Sequence, residues 1–474
     1  MLTTSKTRQK TGIFTLTICL TMILWLGSKW AAADWFDNPY KYVAKAASLS
    51  AIMLMCWCVI LSTRLRIVED WFGGLDKVYQ NHKRLGKLSF GLIVFHPLFL
   101  ALDRLPDWSS FVAYMWFKPT RGDSYLLGQN LGVGAFLLML GLIALTLWIR
   151  PPYHLWKKTH EWFGLVLLLS VVHILAVDAD VAAYPLLTIW IYAWLLAALG
   201  AFVYIRFLYR VWGPYFPFTV SDIQSQAGIL QLTLSPKEAR MDFKPSQFVY
   251  MVVRKPGISP EPHPYSIACG YNLEDRIKLG IKQVGDHTRS LDRLQKGDPV
   301  TLFGPYGRFS HSFLTQHRDC VFIGGGIGIT PFLGMWHVAL HSEERLEEGQ
   351  ISQSLRSMHP EMVRTWQSPC VSLFYVCRTR EEASFDQDIR QEIISSRFHG
   401  FEAFEDRGHH YELYISSEQG RLSAEYIQSR VRKGLHNKNI FLCGPSPMVD
   451  ALIVQFQALG VDSSHIVVED FNLL

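Results

Sequence analysis

No CxxC pair and no plant-type ferredoxin spacing occurs among the eight cysteines of this 474-residue chain, which argues against an appended iron–sulfur cluster. Cys19, Cys56 and Cys58 lie in apolar runs, whereas Cys269, Cys320, Cys370, Cys377 and Cys443 are scattered, so no disulfide framework is legible. Cys56-Trp57-Cys58 has no second pair to complete a metal set and reads as core. Charge is scarce as well: 18% of the residues are Asp, Glu, Lys or Arg. The net charge of +5 comes largely from loops beside apolar runs, so it speaks to membrane topology and no nucleic-acid partner is expected. The dinucleotide fingerprint GxGxxG is absent too.

What the chain has in abundance is apolar side chains. They make up 49% of it, with 15 Trp, and they are segregated into roughly the first 205 positions. The remainder has ordinary soluble composition, which suggests a half-membrane, half-soluble protein of two or three domains. Residues 11–33 follow Lys6, Arg8 and Lys10 in the manner of a signal peptide. The stretch is long and further spans follow, so a retained first helix is expected. Five more spans are expected at about 46–63, 83–102, 129–149, 160–177 and 184–205. Arg64, Arg66, Lys77, Lys83, Arg84 and Lys87 lie between spans two and three, Arg150, Lys157 and Lys158 between four and five, and Arg206 and Arg210 after span six. The opposite loops carry Asp34, Asp37, Asp103, Asp107, Asp123, Asp178 and Asp180. Basic loops stay inside, so both termini and the soluble half are expected in the cytoplasm, with the spans in the plasma (inner) membrane.

Spans three and five each hold two histidines: His82 and His96, fourteen residues apart, and His160 and His173, thirteen apart. Singly, each reads as a helix-end or satisfied core histidine. As a quartet they are costly in hydrocarbon and point to function. The helical rise separates the members of each pair by roughly 20 Å, so two parallel helices could hold two haems stacked through a membrane. The direction of the spans pairs His82 with His160 near the inner surface and His96 with His173 toward the outer one. Fourteen residues return almost to the same helix face, but thirteen leave His173 roughly 140° from His160. Span five therefore needs a local distortion, near Gly164, or a swung side chain.

This arrangement resembles the ferric reductase and NADPH oxidase superfamily, as does the run Gly73-Gly74-Leu75-Asp76-Lys77-Val78-Tyr79-Gln80-Asn81-His82-Lys83-Arg84-Leu85-Gly86. The resemblance extends over nearly the whole chain. It implies that the four histidines are bis-axial ligands of two b-type haems. It also draws attention to Lys45, at the outer start of span two, where the oxidases often place a cation that could stabilise superoxide. A snorkelling lysine or a haem-propionate partner is the other reading. The oxidases tend to carry a further histidine where this chain has Leu100.

After the helix-breaking Val211-Trp212-Gly213-Pro214-Tyr215-Phe216-Pro217, short alternating runs at 229–234, 247–253, 277–282 and 300–303 predict a small antiparallel barrel. From about residue 318, strand and helix patterns alternate, predicting a parallel α/β sheet interrupted by a polar surface insertion at 341–369. The expected domains are thus a six-helix bundle over 1–210, a barrel over 211–315 and an α/β domain over 316–474.

The barrel carries His263-Pro264-Tyr265-Ser266, Gly285-Asp286-His287-Thr288-Arg289 and Gly304-Pro305-Tyr306-Gly307, each on its own readable as a turn. Their order and spacing resemble the ferredoxin-reductase family. The resemblance implies FAD, with Tyr265 against the flavin, Ser266 near its N5 and Gly285, Thr288 and Arg289 at the pyrophosphate. His263 stands where soluble reductases have arginine. The segment Phe322-Ile323-Gly324-Gly325-Gly326-Ile327-Gly328-Ile329-Thr330-Pro331 reads as strand, glycine loop and helix start, a place for backbone amides to meet a pyrophosphate. It resembles the family's nicotinamide-binding loop, including Thr330 and Pro331.

Arg378 and Arg380 follow a predicted strand and could grip a 2′-phosphate, which favours NADPH with NADH as the alternative. Cys443-Gly444-Pro445 ends another strand; in the family this cysteine lies beside the nicotinamide. Glu469-Asp470-Phe471 resembles the family's closing Glu-x-aromatic, where the aromatic covers the flavin. The implied activity is transmembrane electron transfer from NADPH through FAD and two haems to a small-molecule acceptor, with ferric chelate favoured over dioxygen. A donor subunit for an extracytoplasmic redox partner is the further alternative.

Overall fold

A computed structural model describes residues 5–32, 38–149, 151–269, 276–316, 318–347, 369–396 and 400–469. The chain divides into two compact units, one formed mainly by residues 5–72 and 77–211, the other mainly by 212–474.

In the first unit, six helices are long and apolar enough to cross a membrane: Gly12–Ala31, Pro39–Leu61, Leu75–Leu102, Ser124–Ile149, Leu155–Val177 and Pro185–Trp212. All six expected spans are therefore present. The second is the most enclosed, packed against the first and the sixth, while the fourth packs along the fifth. Leu, Ile, Val and Trp side chains remain exposed around the outer faces, among them Leu16, Ile23, Leu88, Leu168, Ile189 and Leu196. That is the surface a helix bundle presents to lipid.

Several spans begin earlier than the apolar runs alone suggest. The third helix starts at Leu75 and the second at Pro39, where Asn38 caps the first turn by accepting from the Lys41 amide. Charged and small residues at these ends sustain a helix although they carry little hydrophobic signal.

The fifth span is broken. One helix runs Tyr153–His160 and a second Phe163–Val177. Between them the Gly164 amide donates to the Glu161 carbonyl and the Leu165 amide to the Trp162 carbonyl, three-residue bonds that overwind the chain. Each residue of such a turn adds roughly 20° to the helical rotation, so four of them recover about 80° of the deficit between His160 and His173. The expected distortion is thus found, centred two or three residues before Gly164.

The second unit holds two sheets. The first is antiparallel and built from β1 (Tyr215–Gln226), β2 (Ile229–Pro236), β3 (Phe248–Val253), β4 (His263–Ser266), β5 (Ile277–Lys282) and β6 (Pro299–Tyr306), in the order β4-β3-β6-β1-β2-β5. An Ile267–Leu279 bridge joins the two edges and closes the curl. Its interior is filled by the inward alternation of Phe218, Val220, Leu230, Leu232, Leu234, Val249, Met251, Leu279 and Leu302.

The second sheet is parallel: β7 (Cys320–Gly325), β8 (Val371–Cys377), β9 (His410–Ile415), β10 (Asn439–Cys443) and β11 (Ile466–Glu469), ordered β11-β10-β7-β8-β9. β7, β8 and β10 are buried throughout, as a sheet covered by helices on both faces requires. The polar interruption expected from residue 341 opens as the last turns of the helix Thr330–Glu347; residues 348–368 lie outside the described residues. Asp34, Asp37, Arg150 and Phe471 also lie outside them.

Candidate functional site

The quartet meets in the predicted pairs. His82 and His160 have ring centres 6.1 Å apart, and His96 and His173 6.3 Å. Two imidazole–metal bonds of roughly 2 Å, plus the half-width of each ring, put the ring centres about 6 Å apart. Both pairs therefore have the spacing of two imidazoles facing one iron.

The other spans set the rings. His82 Nδ1 lies 2.9 Å from the Cys58 carbonyl and His96 Nδ1 3.2 Å from the Ala44 carbonyl, both on span two. His173 Nδ1 lies 2.9 Å from the Gly128 carbonyl on span four. A carbonyl only accepts, so each Nδ1 carries the proton and donates, leaving Nε2 with its lone pair. His160 is oriented by aromatic faces instead, with Trp156 and Phe163 ring centres each 4.9 Å away. Gly132 makes room for this arrangement, since a Cβ there would come within 2.6 Å of His173 Cε1.

His96 and His173 line a cavity of about 720 Å³ whose walls include Ile93, Phe136 and Met139. This volume and apolar lining suit a haem, and the paired imidazoles suit its iron. Lys41, Arg104 and Lys118 also line the cavity, with Arg104 and Lys118 both over the Tyr114 ring. Leu100 lies on its wall. Lys45 is ion-paired to Asp178 and lies 3.9 Å from Asp180, which in turn holds Lys29 at 2.9 Å. The carboxylates neutralise much of the positive charge that the sequence offers at this position.

In the second unit, β4 places Tyr265 and Ser266 in the barrel wall, both buried. The Tyr265 hydroxyl has no hydrogen-bond partner among the described residues, and burial pushes it well above the usual phenol range. Gly285 opens the short helix Asp286–Ser290, its amide donating to the Thr288 hydroxyl. His287 on that helix stacks on His263 with ring centres 3.7 Å apart and planes within 21°. This stack joins β4 to the 285–289 segment. Sequence reasoning quoted His287 but gave it no role, because only the fold reveals its partner. Both of its ring nitrogens are buried without hydrogen bonds, and burial lowers its basicity, partly offset by Glu261. Buried polar atoms of this kind fit a ligand that brings its own donors and acceptors, as FAD does. Arg289 is exposed beside them.

The parallel sheet reverses its order between β7 and β10, and open α/β sheets bind ligands outside the strand ends at such a point. Gly324 at the end of β7 lies opposite Cys443 at the end of β10. A Cβ on Gly328 would come within 2.5 Å of the Cys443 carbonyl oxygen, and one on Gly325 within 2.8 Å of Pro445. Gly444 has φ +157 and lies against Gly325. Glycine is thus needed for backbone to meet backbone here, and Gly326 (φ +55) turns the loop toward Thr330 and Pro331, which are buried. The same loop touches the barrel: a Cβ on Gly280 of β5 would lie 2.8 Å from Thr330 Cγ2.

Arg378 and Arg380 leave the end of β8, as expected, and are exposed. Arg380 is held by both oxygens of Glu418, each at 2.9 Å, a partner that the sequence alone did not suggest.

Three families match this chain in succession. Residues 47–171 match "Ferric reductase like transmembrane component", 224–308 "FAD-binding domain" and 322–453 "Oxidoreductase NAD-binding domain". Among characterised relatives, the reductase component of propane 2-monooxygenase from Mycolicibacterium smegmatis is 27% identical over 52% of this chain and 64% of its own length. The flavohemoprotein of Vibrio cholerae is 23% identical over 54% of this chain and 59% of its own. The chain thus spans less than two-thirds of either relative. The FAD/NAD-binding domain of nitric oxide dioxygenase from Vibrio cholerae superposes with a TM-score of 0.38 at 21% identity, over 55% of this chain and 99% of that domain. The three family matches follow the order of the folded parts, so the chain joins a ferric-reductase-like transmembrane component to FAD-binding and NAD-binding oxidoreductase domains, in keeping with the superfamily that its sequence resembles.

Proposed function

We propose that this chain carries electrons from cytoplasmic NADPH across the membrane to ferric chelates on the far side. The overall reaction is NADPH plus two ferric ions giving NADP⁺, a proton and two ferrous ions. The observation that carries the reading is the pair of facing imidazole couples, at 6.1 and 6.3 Å, in a chain that also has FAD-binding and NAD-binding domains.

Bound FAD takes the two electrons of a hydride together and releases them singly, and a haem iron carries one at a time, which links a two-electron donor to a one-electron acceptor. The protein's own contribution is position. His82 and His160 would hold one b-type haem and His96 and His173 the other. His263, Pro264, Tyr265 and Ser266 would hold the isoalloxazine side of FAD, and Gly285, Thr288 and Arg289 its pyrophosphate. The Gly324–Pro331 loop and Cys443–Pro445 would frame the nicotinamide, with Arg378 toward the 2′-phosphate. Basic loops between spans two and three and between four and five favour a cytoplasmic soluble half.

Two features favour ferric chelate over dioxygen. Lys41, Arg104 and Lys118 along the cavity suit an anionic chelate, and Lys45 is occupied by Asp178. Purified protein given NADPH and ferric citrate should form ferrous iron with NADPH oxidation at two irons per nucleotide. Superoxide produced at the same rate without iron would overturn the assignment in favour of an oxidase. Oxidation of NADPH that neither acceptor supports would indicate a redox-protein partner instead.

A further inference from the structure

The helix Thr330–Glu347 carries His337 and His341 one turn apart, so both point from the same face. The facing helix Asp386–Ser395 carries Glu392. The His337 and His341 rings lie 4.7 Å apart, centre to centre. One oxygen of Glu392 contacts His337 Nδ1 and lies 3.0 Å from His341 Nε2. The three donor atoms all fall within 4.8 Å of one another, among half-buried side chains. Asp388, one turn before Glu392 on the same helix, adds a second carboxylate to that face. None of these residues belongs to the flavin, nicotinamide or haem positions described above.

Two hydrogen bonds to one carboxylate would account for either histidine alone. Both imidazoles converge on a single oxygen, however, and nitrogen and oxygen donors so gathered are the set that a tetrahedral zinc ion takes, two histidines and a carboxylate with the fourth place for water. We propose that His337, His341 and Glu392 form a zinc site that clamps the helix leaving the glycine loop to the helix that follows the Arg378–Arg380 loop. The two helices begin at loops on adjacent strands of one sheet, so a metal between them ties together the two ends of the nucleotide-binding edge. It reaches this without any cysteine, although eight are present elsewhere.

Equilibrium dialysis of the full-length, detergent-solubilised, chelator-stripped protein against micromolar zinc tests the assignment. One zinc per chain is expected, with affinity at least tenfold weaker in His337→Gln and His341→Gln, each checked for normal FAD content. X-ray absorption of the zinc-loaded wild type should report two imidazoles and oxygen ligands, a measurement that stands even if a variant misfolds. Failure of the wild type to hold zinc, equal binding by both folded variants, or sulfur in the zinc shell would overturn it.

Discussion

Arg380 and Glu418 form a two-pronged ion pair, Nε and Nη2 of the guanidinium each 2.9 Å from a carboxylate oxygen. Because both partners are exposed, water screens the pair and it holds the arginine only weakly, so a 2′-phosphate could compete for it. Glu418→Gln should free Arg380 and lower the KM for NADPH by up to about fivefold while leaving that for NADH unchanged. Arg378→Ala with Arg380→Ala should raise the KM for NADPH more than that for NADH. Steady-state reduction of the flavin by each nucleotide measures both, and equal effects on the two nucleotides would remove the 2′-phosphate assignment.

The imidazole couples make a spectroscopic prediction. His96→Leu should remove one of two low-spin haem signals and abolish far-side acceptor reduction, while NADPH still bleaches the flavin. Haem content equal to wild type, measured by pyridine haemochrome, would refute His96 as a ligand.

Gly132 offers a subtler handle on the same couple. A methyl there meets the His173 ring at 2.5–2.6 Å, so Gly132→Ala forces the ring or the fourth span to move. Overpacking of that size costs about 1–3 kcal/mol. Its haem content should fall, whereas Gly141→Ala on the same helix, with nothing within 4 Å of the new carbon, should be silent.

The His263–His287 stack predicts a pH dependence. Burial holds His287 below the usual histidine range, with Glu261 opposing, so the folded barrel keeps it neutral. Above about pH 6.5 the unfolded chain is neutral there too and nothing is lost. As pH falls below that value, the unfolded histidine takes up a proton that the folded one refuses, and stability declines. Thermal melts between pH 7.5 and 5.5 should show a smaller decline for His287→Phe than for wild type. Parallel curves would show that His287 does not contribute.

The histidine couples were legible because a helix converts sequence spacing into distance with little freedom. His82 and His96 could be placed from a count of residues, and the glycines after β7 could be placed because only backbone contact requires them. The extra turns at Leu75 and Pro39 were not, since capped polar ends carry no hydrophobic period. Glu418 beside Arg380, His287 on His263, and Glu392 between His337 and His341 are tertiary meetings of residues far apart in the chain. Nothing local marks them. The Lys45–Asp178 pair is of the same kind, and it changed the reading of a lysine that looked like an unneutralised cation. Phe471 lies outside the described residues, so its part rests on family resemblance.

The turn at Glu161–Trp162 makes the two ligand-bearing spans unequal in how they would tolerate inserted length. On the continuous third helix, one residue added between His82 and His96 rotates everything beyond it by about 100° and lifts it about 1.5 Å, carrying one imidazole off its partner. On the fifth, the overwound joint lies directly after His160 and can take up or release such a residue by rewinding a single turn. Register is thus locked on one rail of the ladder and adjustable on the other, so length variation should accumulate after His160 and be purged between His82 and His96.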